Sequence, residues 1–212
     1  HGWSDAYGLR DFLISQQMNY PKPLYYSLMN LLGSHDVDRL RTALAADRNL
    51  RELSREDQLK YEFSEGALSR ALQQERLCAA IQFAIPGVPS IYYGDEQGMC
   101  GVCDPFNRLP FKEGERELHD WYAQLANMRN SADAFSTGHA QFMAATGDVL
   151  LILRWISDGH DAFGDAAENG AYLAVINRGA AEVHYRADCS AAGCGTVGGT
   201  AEPVSAKIIR IT

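Results

Sequence analysis

The 212-residue chain lacks any stretch of the roughly 18 to 20 apolar residues that a bilayer-spanning helix needs, so no membrane partner is expected. It also lacks a long basic run, and its formal net charge is −8. Nucleic-acid binding rests on clustered Lys and Arg at phosphates, so that partner is not expected either. Cysteine is sparse: Cys78, Cys100, Cys103, Cys189 and Cys194 form an odd set without the spacing of a secreted disulfide framework. They read as free thiols of a reducing compartment, and a cytoplasmic location is the matching expectation. Cys100-Gly101-Val102-Cys103 has redox or zinc spacing, but no second CxxC or CxH accompanies it, so it reads as structural or incidental. Cys189 and Cys194 bracket a Gly/Ala turn and could pair oxidatively in vitro. His119, His139, His160 and His184 have no mutual metal spacing, and neither a metal nor a cofactor is indicated. No internal repeat or signal peptide is visible, and the chain opens on His1-Gly2-Trp3 rather than Met.

What is present suffices for a core, with 46% of residues hydrophobic. The acidic balance is compatible with a neutral polyol such as a glucan. Leu9, Phe12, Leu13 and Met18 form a helical stripe within Tyr7 to Asn19, stopped by Tyr20-Pro21-Lys22-Pro23. A strand is predicted over Tyr26 to Leu32. Residues 41 to 65 are charged and Leu-spaced, an excursion with a helix start at Ser54-Arg55-Glu56-Asp57. A longer helix is predicted from about Ser64 to Ala84, ended by Ile85-Pro86-Gly87. Then come a strand at Ser90 to Tyr93, a Gly-rich loop to Phe111, and a helix from about Glu115 to Arg129. Its stripe of Leu118, Trp121, Tyr122, Leu125 and Met128 reads as core.

After Ser131 the texture changes to short strands. They are predicted at Phe142 to Ala144, Val149 to Trp155, Tyr172 to Asn177, Val183 to Tyr185 and Lys207 to Ile211. Gly, Asp and Asn turns separate them, which argues an antiparallel β-sandwich. Two domains are therefore expected, residues 1–134 and 135–212. The Ala191 to Thr200 stretch reads as a mobile hairpin or loop.

Two apolar runs carry most of the functional information. One ends in Gly33-Ser34-His35-Asp36 and the other in Gly94-Asp95-Glu96. A buried parallel strand is apolar on both faces and so appears as a short continuous run. Acids just beyond such runs sit where α/β proteins build their sites.

The wording of these runs is specific. MNLLGSHDVDR (residues 29 to 39), IPGVPSIYYGDEQGM (residues 85 to 99) and DPFNR (residues 104 to 108) follow one another in order. Together they resemble the α-amylase family of glycoside hydrolases, in its neopullulanase and cyclomaltodextrinase branch, over nearly the whole chain. The resemblance implies the carboxyl-terminal part of a (β/α)8 TIM barrel, from helix 6 through strands 7 and 8 to helix 8. An all-β domain follows. A complete barrel takes about 250 residues, so the family's nucleophilic aspartate and acid/base glutamate are expected upstream of His1. This chain alone is then expected to be inactive. Its open barrel edge would be covered by the missing barrel half or by self-association.

The implied activity is retaining hydrolysis of α-1,4-glucosidic bonds in maltooligosaccharides, cyclodextrins or related α-glucans. Such cleavage needs a carboxylate and a carboxylic acid placed across the bond. By resemblance Asp36 is the third acid, a transition-state stabiliser that also helps keep the acid/base glutamate protonated. The implied substrate-binding set is His35, Arg39, Tyr93, Asp104 and Arg108, with Arg39 also holding the loop and its carboxylates. Ser34 stands where the family usually has Asn. Asp104 and Arg108 either bind a glucose one subsite further out or staple their own loop. Calcium in the complete protein is compatible with the family but is not indicated by these residues. Two alternatives share the same residues: an α-glucan transglycosylase, and a non-catalytic structural or sugar-binding module. The plainest alternative for His35 and Asp36 is a turn cap after a strand.

Overall fold

The computed structural model describes residues 4–212, so the His1-Gly2-Trp3 opening lies outside the described residues. Helix α1 (Ala6–Asn19) begins where the Asp5 carboxylate accepts the Gly8 amide at 2.8 Å. The strand expected from Tyr26 starts later than its aromatic residues suggest. Pro23, in the first turn, favours a short helix, α2 (Lys22–Ser27), and the Ser27 hydroxyl closes it by donating to the Pro23 carbonyl. Tyr25 is buried in that helix, and the Tyr26 hydroxyl donates to the Gly138 carbonyl at 2.7 Å. Strand β1 is only Met29–Leu31.

The charged excursion holds α3 (Leu40–Ala45) and α4 (Arg55–Leu59), the latter capped by Ser54, whose hydroxyl accepts the Asp57 amide. The long helix α5 (Glu65–Ala84) is capped by Ser64, whose hydroxyl accepts from Ala67. Strand β2 is Val88–Ser90, earlier than the expected Ser90 to Tyr93. Ile91 to Tyr93 leave the ladder because their carbonyls are taken elsewhere: Tyr92 O accepts the Asp95 amide and Tyr93 O accepts from Arg39. β1 and β2 pair in parallel, Met29 opposite Val88, with α5 between them in the chain.

Neither strand is buried on both faces. Asn30 points at α5, where its amide donates to Gln82 O and Pro86 O, while Gln82 Nε2 donates back to Asn30 O and to Ser90 O. On the opposite face Met29, Leu31 and Val88 are exposed, Met29 to 62%.

Helix α6 (Arg116–Asn130) packs on α5 through Leu118, Tyr122 and Leu125 against Ala79 and Phe83. One turn, α7 (Asp133–Ser136), leads to the all-β part. There β3 (His139–Ala144), β4 (Val149–Ile156), β5 (Gly170–Asn177) and β8 (Ser205–Arg210) form one antiparallel sheet in the order β3-β4-β5-β8. β6 (Val183–Asp188) and β7 (Thr196–Ala201) form a separate antiparallel pair.

The stretch read as a mobile hairpin or loop is thus a paired strand behind a turn. Gly199 lies opposite Tyr185, whose hydroxyl would be 2.7 Å and ring 3.0 Å from a Cβ there, so the tyrosine covers the ladder where the glycine has no side chain.

The central strands explain the continuous apolar run Val149 to Leu153. Leu150 and Ile152 pack on α1 and α5 with Leu13, Leu77 and Ala80. Val149, Leu151 and Leu153 face Tyr185, Ala187 and Ala201 of β6 and β7. Arg154, on the same strand, is fully buried and has no carboxylate partner among the described residues. Its guanidinium donates to Ala84 O at 2.9 Å and to Gly138 O and His139 O at 3.2 Å. Ala84 is the last residue of α5, so the cation sits at the negative end of a 20-residue helix. Burial still lowers its pKa to about 10.

Candidate functional site

Residues beyond β1 and β2 meet in one cluster, assembled mainly by hydrogen bonds to backbone. Gly94, at φ 85°, turns the chain after Tyr93, and Glu96 accepts the Gly94 amide at 2.8 Å. The following loop folds back over residues 35 to 42. Arg39 N–H donates to Gly101 O at 2.9 Å, Gly101 N–H to Thr42 Oγ1 at 2.8 Å, and Cys103 N–H to Asp38 Oδ1 at 2.6 Å. Asn107 completes the closure. It is fully buried, and its amide donates to His35 O at 2.8 Å and to Val37 O at 2.7 Å.

His35 and Asp36 stand on the surface of this frame. His35 Nε2 lies 3.3 Å from Asp36 Oδ1, with side chains 60% and 73% exposed. The Asp36 amide donates to Ser34 Oγ at 3.2 Å, so Ser34 shapes the turn without occupying the carboxylate. The carboxylate therefore keeps open acceptor capacity toward solvent.

Arg39 has the opposite placement. It is fully buried, Nη1 donates to Tyr93 O at 2.7 Å, and Asp95 Oδ1 lies 3.5 Å away. Its guanidinium stacks within 4.8 Å of the Tyr92 ring and 4.6 Å of the Tyr93 ring. Arg39 thus holds the loop, with its guanidinium enclosed by Tyr92, Tyr93 and Asp95. Tyr93 remains part-exposed, and its hydroxyl donates to Leu109 O at 2.7 Å. Asp104 and Arg108 form an ion pair at 3.0 Å with both side chains largely solvent-exposed. The staple is made, and both groups still face outward beside the buried Asn107.

Behind the cluster lies a second, buried charge group. Arg41 Nε meets Glu75 Oε2 at 2.6 Å, and its Nη1 lies 3.6 Å from the part-exposed Glu115. Burial pushes both Glu75 and Asp95 up to about 7, against the opposing pull of Arg41 and Arg39 respectively. Gly98, at φ 68°, admits Arg41, whose Nη2 would lie 2.3 Å from a Cβ there. Among the described residues no group of three or more His, Cys, Asp and Glu side chains is placed to hold a metal ion.

Asn107 and Asp38 were not singled out by sequence reasoning. Both lie inside the recognised motifs, so the available signal was their adjacency to His35, Asp36 and Arg108.

No family model matches the chain. It is 37% identical over 187 residues to the amylopullulanase of Thermoanaerobacter thermohydrosulfuricus, an alignment taking in 86% of this chain and 12% of that protein. The cyclomaltodextrinase of Geobacillus thermopakistaniensis is 30% identical over 173 residues, 79% of this chain and 24% of its own. The chain thus spans between 12% and 24% of these relatives' length. Among solved structures, the debranching enzyme of Nostoc punctiforme in its native form matches with a TM-score of 0.74. That match is 21% identical and covers 98% of this chain and 40% of the other. The cyclic maltosyl-maltose hydrolase of Arthrobacter globiformis, in complex with its cyclic sugar, matches with a TM-score of 0.71 at 22% identity, over 99% of this chain and 40% of its own. At such identities the likeness is one of fold.

Proposed function

Since the chain is homologous to the carboxyl-terminal portion of the α-amylase family of glycoside hydrolases, we propose that it supplies the closing strands of a (β/α)8 barrel and one of three catalytic acids to a retaining α-glucosidic hydrolase. In this reading β1 and β2 are strands 7 and 8, and the upstream barrel covers the open face at Met29, Leu31 and Val88. The nucleophile and the acid/base come from that upstream part, so this chain alone turns over no glucan. The substrates are α-1,4-linked maltooligosaccharides or cyclodextrins. Neighbours of the same fold solved with maltose and with a cyclic maltosyl-maltose support the substrate class.

One observation carries the reading: Asp36 presents an exposed carboxylate with open acceptor sites beyond the end of a parallel strand, beside the likewise exposed His35, while the buried Asn107 amide is bonded to the His35 and Val37 backbone. A sugar ring gains positive character only as the glycosidic bond breaks. A fixed carboxylate there lowers the barrier more than it strengthens ground-state binding. His35 donates to the same sugar in its neutral or protonated form, since one ring nitrogen always carries a proton. Tyr93, Asp104 and Arg108 line the flank toward the next subsite, and Arg39 keeps Tyr93 and Asp95 in place.

The test is Asp36→Asn in the complete protein, which keeps the shape and removes the charge. The catalytic rate should fall by several orders of magnitude, roughly 3 to 6 kcal/mol at about 1.4 per tenfold. The Michaelis constant should change far less. A near-wild-type rate would leave Asp36 as a turn residue and end the assignment.

A further inference from the structure

The turn between β6 and β7 brings two thiols together by a defined backbone motif. Cys189 is buried, and residues Ser190–Ala192 form one 3-10 turn. Gly193 then takes the left-handed conformation at φ 75° and ψ 8°. Cys194 N–H donates to Cys189 O at 3.2 Å, and Gly193 N–H donates to Ser190 O at 2.9 Å. That nested pair of bonds around a left-handed glycine is the Schellman closure, which is frequently accompanied by a side-chain contact between the residues at the two ends of the outer bond. Those residues are Cys189 and Cys194. A further bond, Cys189 N–H to Gly195 O at 2.7 Å, ties the same ends from the other side. Both cysteines belong to the apolar cluster of Tyr185, Ala187 and Ala201, and both are free thiols. A carbonyl and an amide bonded across the pair bring the two Cα atoms into the range, about 4.4 to 6.8 Å, that a disulfide spans.

We propose that Cys189 and Cys194 are a reversible oxidative modification site, closing to a disulfide that staples the β6–β7 turn. The oxidant is a small organic disulfide. The part-exposed Cys194 loses its proton to solvent, and its thiolate attacks one sulfur of that reagent, breaking the reagent's S–S bond and releasing one thiolate. Cys189, deprotonated in turn, attacks the Cys194 sulfur of the mixed disulfide and expels the second small thiolate. The two released thiolates take up the two protons. Two cysteine thiols are oxidised and one small disulfide is reduced to two thiols. Burial raises the Cys189 thiol above the ordinary cysteine range, so the second step speeds up as pH rises.

The chain as it stands serves for the test. It is incubated with excess oxidised glutathione, alkylated under denaturing conditions and digested with trypsin. Cleavage after Arg186 and Lys207 releases one peptide holding Cys189 and Cys194 and no other cysteine. That peptide should lose both alkyl labels and two hydrogen masses, and regain the labels after dithiothreitol, while Cys78 stays alkylated in the peptide of residues 77 to 108, which it shares with Cys100 and Cys103. Oxidation should also raise the thermal midpoint by several degrees, an increment absent from Cys194→Ser. In Gly193→Val the left-handed turn is disfavoured, so closure should slow at least tenfold and the mixed disulfide at Cys194 should accumulate. A doubly alkylated wild-type peptide, a stable mixed disulfide in the wild type, or unchanged closure in Gly193→Val would each overturn the proposal.

Discussion

Strand β4 is covered on both faces, by α1 and α5 on one side and by β6 and β7 on the other. Strands β1 and β2 carry α5 on one face and leave Met29, Leu31 and Val88 in solvent on the other. The difference extends to what holds each region. Around β4 the work is done by apolar burial, with side chains of Val149 to Leu153 almost wholly removed from water. Around β1 and β2 it is done by amides, guanidinium groups and loop backbone, with buried orphan atoms at Arg39, Arg41, Glu75, Asp95 and Asn107. Apolar contacts tolerate small displacements, whereas a hydrogen-bonded frame fixes where a surface carboxylate stands. The β region is built for stability and the cluster near Asp36 for position.

The sharpest way to expose that contrast is to truncate one residue in each region. Leu153→Ala opens a cavity in a fully buried position and should cost about 2 to 5 kcal/mol, read as a matching drop in denaturant midpoint. Asn107→Ala removes both bonds to the His35–Val37 segment and should cost about 1 to 3 kcal/mol. It should also speed amide exchange at residues 35 to 38 beyond the global change, and a purely global response would refute the positional role.

The buried acids give the contrast a pH signature. Glu75 and Asp95 titrate near 7 in the folded chain and near 4 when unfolded. Between those values the folded state binds more protons, so their contribution to stability is fully present below about pH 4 and is lost as pH rises toward 7. The thermal midpoint should therefore decline from pH 5 to pH 7. Glu75→Gln should lower the midpoint but flatten that decline, and an unchanged slope would contradict the raised carboxyl. The smallest effect belongs to the open face: Leu31→Ser should change the stability of this chain by less than about 0.5 kcal/mol.

How far the molecule was legible depends on whether a residue's role shows in its letter. Ser54-Arg55-Glu56-Asp57 reads as a helix start and is one, and Ile85-Pro86-Gly87 ends α5 where expected. Val149 to Leu153 reads as a continuous apolar run because both its faces are covered. β7 was read only as a hairpin or loop because Gly198-Gly199 carries no apolar alternation; Tyr185 on the neighbouring strand supplies the cover. Tyr26 resembles a strand residue, but Pro23 favours a helical turn there. In the cluster, the parallel pairing that brings the His35-Asp36 and Asp95-Glu96 ends together was legible from motif wording. The burial of Arg39 was not, since a clamp and a sugar ligand are written with the same residue. Asn107 was likewise hidden, because nothing in its letter tells an amide buried under a loop from one in solvent.

The buried Arg154 limits how this protein can be divided or recombined. Its three acceptors belong to the end of α5 and to the segment entering β3, so the β region completes a helix terminus that lies outside it. A chimera that exchanges residues 139 to 212 for another all-β module must bring a guanidinium to the same point, or leave the Ala84 carbonyl without a donor and Gly138 with the Tyr26 hydroxyl alone. The junction is thus a constraint on modular exchange rather than a neutral linker.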